Sequence, residues 1–598
     1  MIINVYSDKA HIDFSKETKP FKEYFINRIH EELDPLDPNR FRSMAFRKYH
    51  TWDGRVAICD LENANVPTGL LEDLLDLIKI EQEKNAYIHY EINDLRGPRL
   101  EPDNMLVSPI IMKGTGVKEL SLREDQLGAV NSIYDNQCGV VLSATNSGKT
   151  IICITAIKHL LPELSNDDNV LFIAPNSTIM YQVRKNMIGY LGKPIGIWGD
   201  NTRDLQQITC ATYQTINSAL IPPEETIKLT SKKDKLLQRM AKRYAPQILD
   251  SVNPLQSLKG LAKNFVPKFK YELDDKAELA SLAVSLDSNK AVITYFSNYQ
   301  KRYLKLIKKK NGKGLEKYQT AKDYLEKVKV TFVDECQHAS ADSYQKIFKY
   351  LGNSRVKIGL TGTLDKDKKV EYIKIKSILG SVICSIDNDY MIKLGVSARP
   401  HIKLVNFSKP EDLEDMVEKQ MPSNTPPNQA TLLKYQLTYQ SGIVENDERN
   451  KLISTLAGKL AGLDNGAILI VVNSIQHGEN IANFLKEQGT EYAFIRGENS
   501  SEEREDILSK VTSGDIKVLI GSKVMDEGVD IPNIRYMVYA SAGKSFVQTL
   551  QRIGRLLRIS ADKHEVFIFD IVDRNSDFLY NQAKKRVKYY KEQKFEVK

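Results

Sequence analysis

From Leu120 onward, short Val- and Ile-rich runs alternate with stretches whose apolar residues recur at helical spacing. The first series of runs is GVVLSA (139–144), NVLFIAP (169–175), QITCATY (207–213), VTFVDE (330–335) and VKIGLTGT (356–363). The second is HIKLVNF (401–407), AILIVVN (467–473), EYAFIRG (491–497), KVLIGS (517–522), YMVYAS (536–541) and EVFIFDIV (565–572). Most of these runs are continuously Val- and Ile-rich, as expected of strands covered by helices on both faces of a parallel sheet. Two series predict two doubly wound α/β domains in tandem.

The first hundred residues read differently. Strand-like runs at Ile2–Tyr6, Arg55–Cys59 and Ala86–Ile92 flank two amphipathic helical patterns at 17–33 and 69–84. RGPRLEPDN (96–104) then reads as a linker. The expected division is a small α+β accessory domain at 1–106, a first α/β domain at 107–395, a second at 396–575 and a basic C-terminal helix at 576–598. Between ATYQT and VTFVDE lies far more chain than a compact α/β domain needs, so about 220–328 reads as a largely helical insertion. Tyr295, Tyr299 and Tyr303 fall on one face of a helix there, as core or as a base-stacking platform.

Hydrophobic residues make up 41% and charged residues 27%, the balance of a soluble globular chain. No apolar run approaches the roughly 20 residues of a membrane span, and the N-terminus lacks the pattern of an export signal. The six cysteines are scattered, with no CxxC pair, which points to a reducing cytoplasm and away from a disulfide framework or structural zinc. The formal net charge is +8. Residues 222–330 carry roughly two basic residues per acidic one, and the tail at 584–594 is basic too, as solvated faces or polyanion contacts would be.

Chemistry concentrates in three places. SATNSGKT (143–150) sits between an apolar run and a helical pattern, the context a phosphate loop requires. Its backbone N–H groups would face phosphates at a helix N-terminus. Gly148 allows close approach, Lys149 would reach the β- and γ-phosphates, and Thr150 would bind Mg²⁺. Asn146 and Ser147 stand where such loops commonly carry glycines, and Asn tolerates the left-handed region best after Gly. VTFVDECQ (330–337) ends a strand in paired carboxylates: Asp334 for Mg²⁺ and Glu335 to orient and deprotonate water. QRIGRLLR (551–558) places Arg555 and Arg558 three apart, on one helix face, as a cationic surface or as fingers completing a site from the second domain.

In this order the pieces resemble the motor of superfamily 2 helicases over most of 120–575. The resemblance implies two tandem RecA-like doubly wound domains that bind ATP with Mg²⁺. LREDQLGAV (122–130) resembles the upstream glutamine motif, implying that Gln126 reads adenine with Arg123 nearby. IAPNSTIMYQ and ATYQT resemble the strand-contact motifs, implying nucleic-acid contact at Thr212 and Gln214; VVNS implies the same at Ser474. TGT (361–363) resembles the motif linking nucleotide state to domain movement. GSKVMDEGVDIP (521–532) implies Ser522 near nucleic acid, with Gly528 and Asp530 near the nucleotide and domain interface. Gln337 stands where many relatives carry His or Asp, which leaves its coupling contact open.

ENDERNKLISTLA with VVNSIQHGENIANFL resembles the branch holding XPB-type translocases and phage UvsW-type recombination helicases, and RFR…WDGR (40–55) resembles an element of the latter's N-terminal domain. That stretch gathers Arg40, Arg42, Arg47, Lys48 and Arg55 around Trp52. The arginines suit phosphates or solvent, and Trp52 either anchors the domain or stacks at a junction. The resemblance implies a monomeric ATP-dependent DNA helicase or translocase in the cytoplasm of a phage-infected bacterium. Its substrates would be Holliday junctions, forks, D-loops and R-loops, and its partners replication and recombination proteins. The alternatives are an RNA helicase, and an ATP-gated DNA-binding switch that does not unwind.

Overall fold

The computed structural model describes every residue except 85–86, 103–104, 145, 223–230, 268, 270–271, 409–412, 423–426, 464–465, 523–532, 544–552, 555, 558 and 560–562. Gly528, Asp530, Arg555 and Arg558 therefore lie outside the described residues.

The first α/β sheet has eight strands. In spatial order they are Thr202–Asp204, Ile195–Gly199, Ile208–Thr212, Asn169–Ala174, Val328–Asp334, Val356–Thr361, Cys138–Ser143 and Val382–Ile386. All neighbours pair in parallel except the edge strand Thr202–Asp204, which runs antiparallel. Burial of Val140, Val141, Leu171, Phe172, Ile173, Phe332 and Val333 explains the continuous apolar runs. Each fully buried side chain of this size contributes about 1.5–3 kcal/mol. Residues 195–199 and 382–386, which the apolar runs had not flagged, join the same sheet.

The second sheet has seven described strands, all parallel, in the order Tyr492–Ile495, Val518–Gly521, Ala467–Val471, Ile534–Tyr539, Glu565–Asp573, Arg399–Phe407 and Glu596–Val597. The C-terminal helix Asp577–Glu592 leads into the last of these. It also reaches the first α/β domain, where Asn388 donates to Gln593 at 2.7 Å. The chain thus contains two RecA-like doubly wound domains.

Residues 1–94 build a four-stranded sheet ordered Asn65–Pro67, Lys9–Asp13, Ile2–Val5, Glu91–Asp94. Helices Lys19–Leu33 and Leu71–Lys84 close it, with Phe25, Ile29, Leu74 and Ile78 packed on Ile3, Val5 and Ile12. Arg55–Cys59, expected as a strand, makes only one isolated bridge, between Arg55 and Leu36. The buried Asp34 carboxylate captures the amides of Ile58 and Cys59, at 2.8 and 3.0 Å, which a ladder would otherwise use.

Residues 214–326 form a separate compact helical unit. Its helix Asn289–Glu326 buries Val292, Phe296, Tyr299 and Tyr303, so the tyrosine stripe is core. The same helix exposes Lys301, Lys305, Lys308 and Lys309. No helix among the described residues is long and apolar enough to cross a membrane.

Candidate nucleotide and nucleic-acid sites

Strand Cys138–Ser143 delivers the phosphate loop to the carboxyl edge of the first sheet, the edge where open α/β sheets bind ligands. Asn146 sits at φ 70° and Gly148 at φ 86°, so the residue replacing a loop glycine takes the left-handed turn. Helix Lys149–Leu160 then begins, with Lys149 and Thr150 in its first turn. The loop is braced from within: Ser147 Oγ donates to Ala144 O at 2.6 Å, and Ser143 and Ser147 hydroxyls are bonded to each other. The Lys149 ammonium lies against Ser143 O at 3.4 Å.

Arg123 and Gln126 form a second brace. Gln126 Nε2 donates to Ser147 O at 2.8 Å and its Oε1 accepts from Arg123 N at 3.1 Å. Arg123 Nη2 donates to the same Ser147 carbonyl at 2.7 Å and pairs with Asp125. A Cβ on Gly148 would lie 2.4 Å from Gln126 Nε2, so a side chain there would push the Gln126 amide off Ser147 O, besides being strained at this φ. The sequence assigned Gln126 to adenine. The structure buries it against the loop with both ends of its amide engaged by the chain, so its geometry is that of a loop brace.

Strand Val328–Asp334 ends at the same edge, with Val356–Thr361 between it and the loop strand. Asp334 is paired in register with Leu360, and Thr361 with Leu142, so the three strand ends are level. Burial, then the neighbouring Glu335 carboxylate, push Asp334 up to about 7, against the pull of the Lys149 ammonium. A half-buried carboxylate beside a second acid suits a divalent cation, and Thr150, in the first turn of helix Lys149–Leu160, carries a hydroxyl of the kind such a cation takes.

Glu335 occupies the left-handed region at φ 47°, turning its side chain out of the strand direction. Its Oε2 accepts from Gln337 Nε2 at 2.9 Å, and Gln337 Oε1 accepts from Thr361 Oγ1 at 2.5 Å. Thr361 Oγ1 also contacts Thr363 O at 2.8 Å and accepts from Thr363 N at 3.1 Å. The contact left open in the sequence is therefore a bridge from the carboxylate pair to TGT.

The expected nucleic-acid residues divide sharply. Thr212 and Ser522 are buried at strand ends, and Ser474 caps a helix by accepting from His477 N at 3.2 Å; of these four only Gln214 is exposed. In the small domain Trp52 donates to Arg55 O at 2.7 Å and meets Phe46 edge to face. Arg55 is half-buried and donates to Glu31 O at 2.6 Å and Asp34 O at 2.7 Å, closing the C-terminus of helix Lys19–Leu33. Trp52 and Arg55 thus hold the element together. Arg42 and Arg47 are exposed, and beside them stand two exposed aromatics the sequence reading passed over, Phe41 at 59% and Tyr49 at 60%. The signal was the aromatic–basic interleaving FRSMAFRKY itself.

The family described as Helicase conserved C-terminal domain matches residues 447–560, and the family described as Type III restriction enzyme, res subunit matches 119–250 and 231–366. A putative helicase of a Sulfolobus islandicus filamentous virus is 26% identical over 280 residues, 46% of this chain and 47% of that protein. The ATP-dependent DNA helicase uvsW of Enterobacteria phage T4 is 25% identical over 256 residues, 42% of this chain and 47% of that protein. The chain thus aligns with about half the length of these curated relatives. A crystal structure of T4 UvsW aligns over 100% of this chain and 99% of its own, at 16% identity and a TM-score of 0.39.

Proposed function

From the premise that the chain is a superfamily 2 helicase resembling the phage UvsW type, we propose that it is an ATP-dependent DNA helicase or translocase acting on branched DNA. The observation carrying this reading is the level meeting of Lys149, Asp334 and the Glu335–Gln337–Thr361 bridge at one sheet edge.

In this reading the N–H groups at the start of helix Lys149–Leu160 hold the phosphates and Lys149 neutralises the β–γ bridge. Thr150 and Asp334 would hold Mg²⁺, which when bound neutralises charge on the phosphate oxygens. Glu335 takes a proton from the water that attacks the γ-phosphorus, as the bond to the β-phosphate oxygen breaks. Arg555 and Arg558 of the second domain stabilise the charge on the transferring group, an effect of about 10³–10⁵ in rate. The motif GSKVMDEGVDIP assigns Gly528 and Asp530 to nucleotide and domain coupling in the same reading. Gln337 passes the state of Glu335 to TGT, so that hydrolysis is felt as domain movement.

On the nucleic-acid side, Arg42 and Arg47 neutralise phosphates while Tyr49 and Phe41 offer ring faces to unpaired bases at a junction. Gln214 contacts the strand along the motor. The test is an unwinding assay on forks, four-way junctions, duplex RNA and RNA–DNA hybrids, with and without ATP. ATP-dependent unwinding confined to branched DNA is expected. Unwinding of duplex RNA alone would make the protein an RNA helicase, and ATP turnover at background on every polynucleotide would leave an ATP-gated clamp.

A further inference from the structure

Apart from Gln214, the helical unit 214–326 has no part in the reading above, yet its charge is sorted by face. From Asn289 to Leu315 its long helix carries eight basic residues and no acidic one. At 3.6 residues per turn, Tyr299, Tyr303 and Ile307 fall on one side of this helix and Lys301, Lys305 and Lys308 on the other, with Arg302 and Lys309 beside them. The first three are buried in the unit's core. All five cations are exposed.

The acids of the unit are engaged elsewhere. Asp275 pairs with Arg239 at 2.7 Å, Glu272 with Arg243 at 2.9 Å and Asp234 with Lys310 at 3.0 Å, while Glu278 accepts from Tyr299. Among the described residues, none of Lys301, Arg302, Lys305, Lys308 and Lys309 enters an ion pair. Lys301–Lys305 and Lys305–Lys309 are four apart, and Arg302–Lys305 and Lys305–Lys308 are three apart, spacings at which like charges repel along a helix. A polyanion laid along the face would relieve that repulsion.

We propose that this face binds the phosphate backbone of duplex DNA without reading its sequence. From Lys301 to Lys309 the helix rises about 12 Å. A DNA duplex carries one phosphate charge per roughly 1.7 Å of axis, so this length faces about seven, and a single strand offers about half as many. Single-strand sites add aromatic platforms to their cations. Here nothing can stack: every described aromatic of the helix is buried or half-buried, and its exposed apolar side chains, Ile293 and Leu304, are aliphatic. Four of the five cations are lysines, point charges that suit phosphates and lack the planar fork of arginine. The proposal rests on the reading that the chain works on DNA, and it adds to the small domain's exposed Arg42, Arg47, Phe41 and Tyr49 a second surface of different chemistry, for the double-stranded arm.

The test compares the full-length wild type with the quadruple variant Lys301→Gln/Lys305→Gln/Lys308→Gln/Lys309→Gln and the pair Lys305→Gln/Lys309→Gln. A control removes as many exposed lysines from the second α/β domain: Lys451→Gln/Lys459→Gln/Lys486→Gln/Lys510→Gln. The readouts are affinity against salt concentration for a blunt duplex and for a single strand of equal length, without nucleotide, together with the thermal midpoint. In the quadruple variant duplex affinity should fall about tenfold or more and the salt slope by about 3, with single-strand affinity within about threefold of wild type. The pair should lose about half as much slope and the control less than about 1. The thermal midpoint of the quadruple variant should be no lower than that of wild type, since like-charged pairs are removed. An unchanged duplex slope overturns the proposal, and so does an equal loss on the single strand or in the control. Should the quadruple variant fail to fold, the pair decides by the same criteria. Fork unwinding by the wild type separates this proposal from the reading it rests on: a flattened duplex slope in a protein that unwinds no branched DNA would keep the face and sink that reading, and fork unwinding with the slope unchanged would sink the face alone.

Discussion

Gln337 accepts a hydrogen bond from Thr361 at 2.5 Å across two adjacent parallel strand ends, while its amide nitrogen holds Glu335 at 2.9 Å. One side chain thus ties the candidate general base to the TGT turn. An amide suits this place because it donates to the carboxylate and accepts from the hydroxyl without titrating. Gln337→Ala should leave ATP affinity within about threefold while lowering unwinding per ATP hydrolysed by about tenfold. Parallel ATPase and unwinding rates check this; equal losses in both would place Gln337 in the chemical step alone.

Lys149 and Glu335 should separate binding from turnover. Lys149→Ala is expected to abolish hydrolysis, since it removes the cation facing the phosphates and Asp334. Glu335→Gln should still bind nucleotide and DNA but slow hydrolysis by about 10²-fold or more, because the amide cannot accept the proton. Filter binding with a slowly hydrolysed ATP analogue, alongside single-turnover rates, distinguishes the two. Loss of nucleotide binding in Glu335→Gln would contradict its role as base.

The basic residues of the small domain should divide by exposure. Arg42→Ala and Arg47→Ala should each weaken fork binding and lower the salt slope by about 1, since each frees one phosphate contact. Arg55→Ala should instead destabilise the domain by about 1–3 kcal/mol, because the Glu31 and Asp34 carbonyls lose their donor. Salt titrations of fork binding and thermal melts of the three variants decide; a flattened slope in Arg55→Ala at full stability would return Arg55 to the DNA.

His30 carries a pH dependence. Burial works against its charge, but bonds from Nδ1 to Asp34 and Nε2 to Asp53, both 2.7 Å, outweigh it and raise its pKa above the ordinary value. Only the protonated ring donates from both nitrogens. The contribution is therefore complete below the unfolded value near 6.5 and is lost as pH rises through the raised folded pKa. Hydrogen-exchange protection across 19–59 should decline over that window in the wild type and stay level in His30→Gln.

Much of the site was legible because its determinants are local. SATNSGKT between an apolar run and a helical pattern requires a turn that exposes N–H groups, and Asn146 at φ 70° sits where its tolerance of the left-handed region allowed. DECQ was legible for the same reason, as two acids closing an apolar strand. The contacts of Gln126 and Arg55 were not legible. Their residue types suit ligands, but they also bond to Ser147, 21 residues away, and to Glu31 and Asp34, more than 20 residues back. No local pattern reports whether a donor is already engaged by such a distant carbonyl.

The alternation of apolar runs and helical periods, together with the motif order, settled by sequence alone that the chain holds two doubly wound domains with a phosphate loop and paired carboxylates. Tertiary structure alone decided that Gln337 reaches Thr361, that Tyr49 is exposed while Trp52 is half-buried, and that Arg586 reaches Gly543. The physical reason is range. Hydrophobic periodicity and turn chemistry act within a few residues, whereas each of these contacts depends on strand register and helix docking that bring distant parts of the chain to within 3 Å.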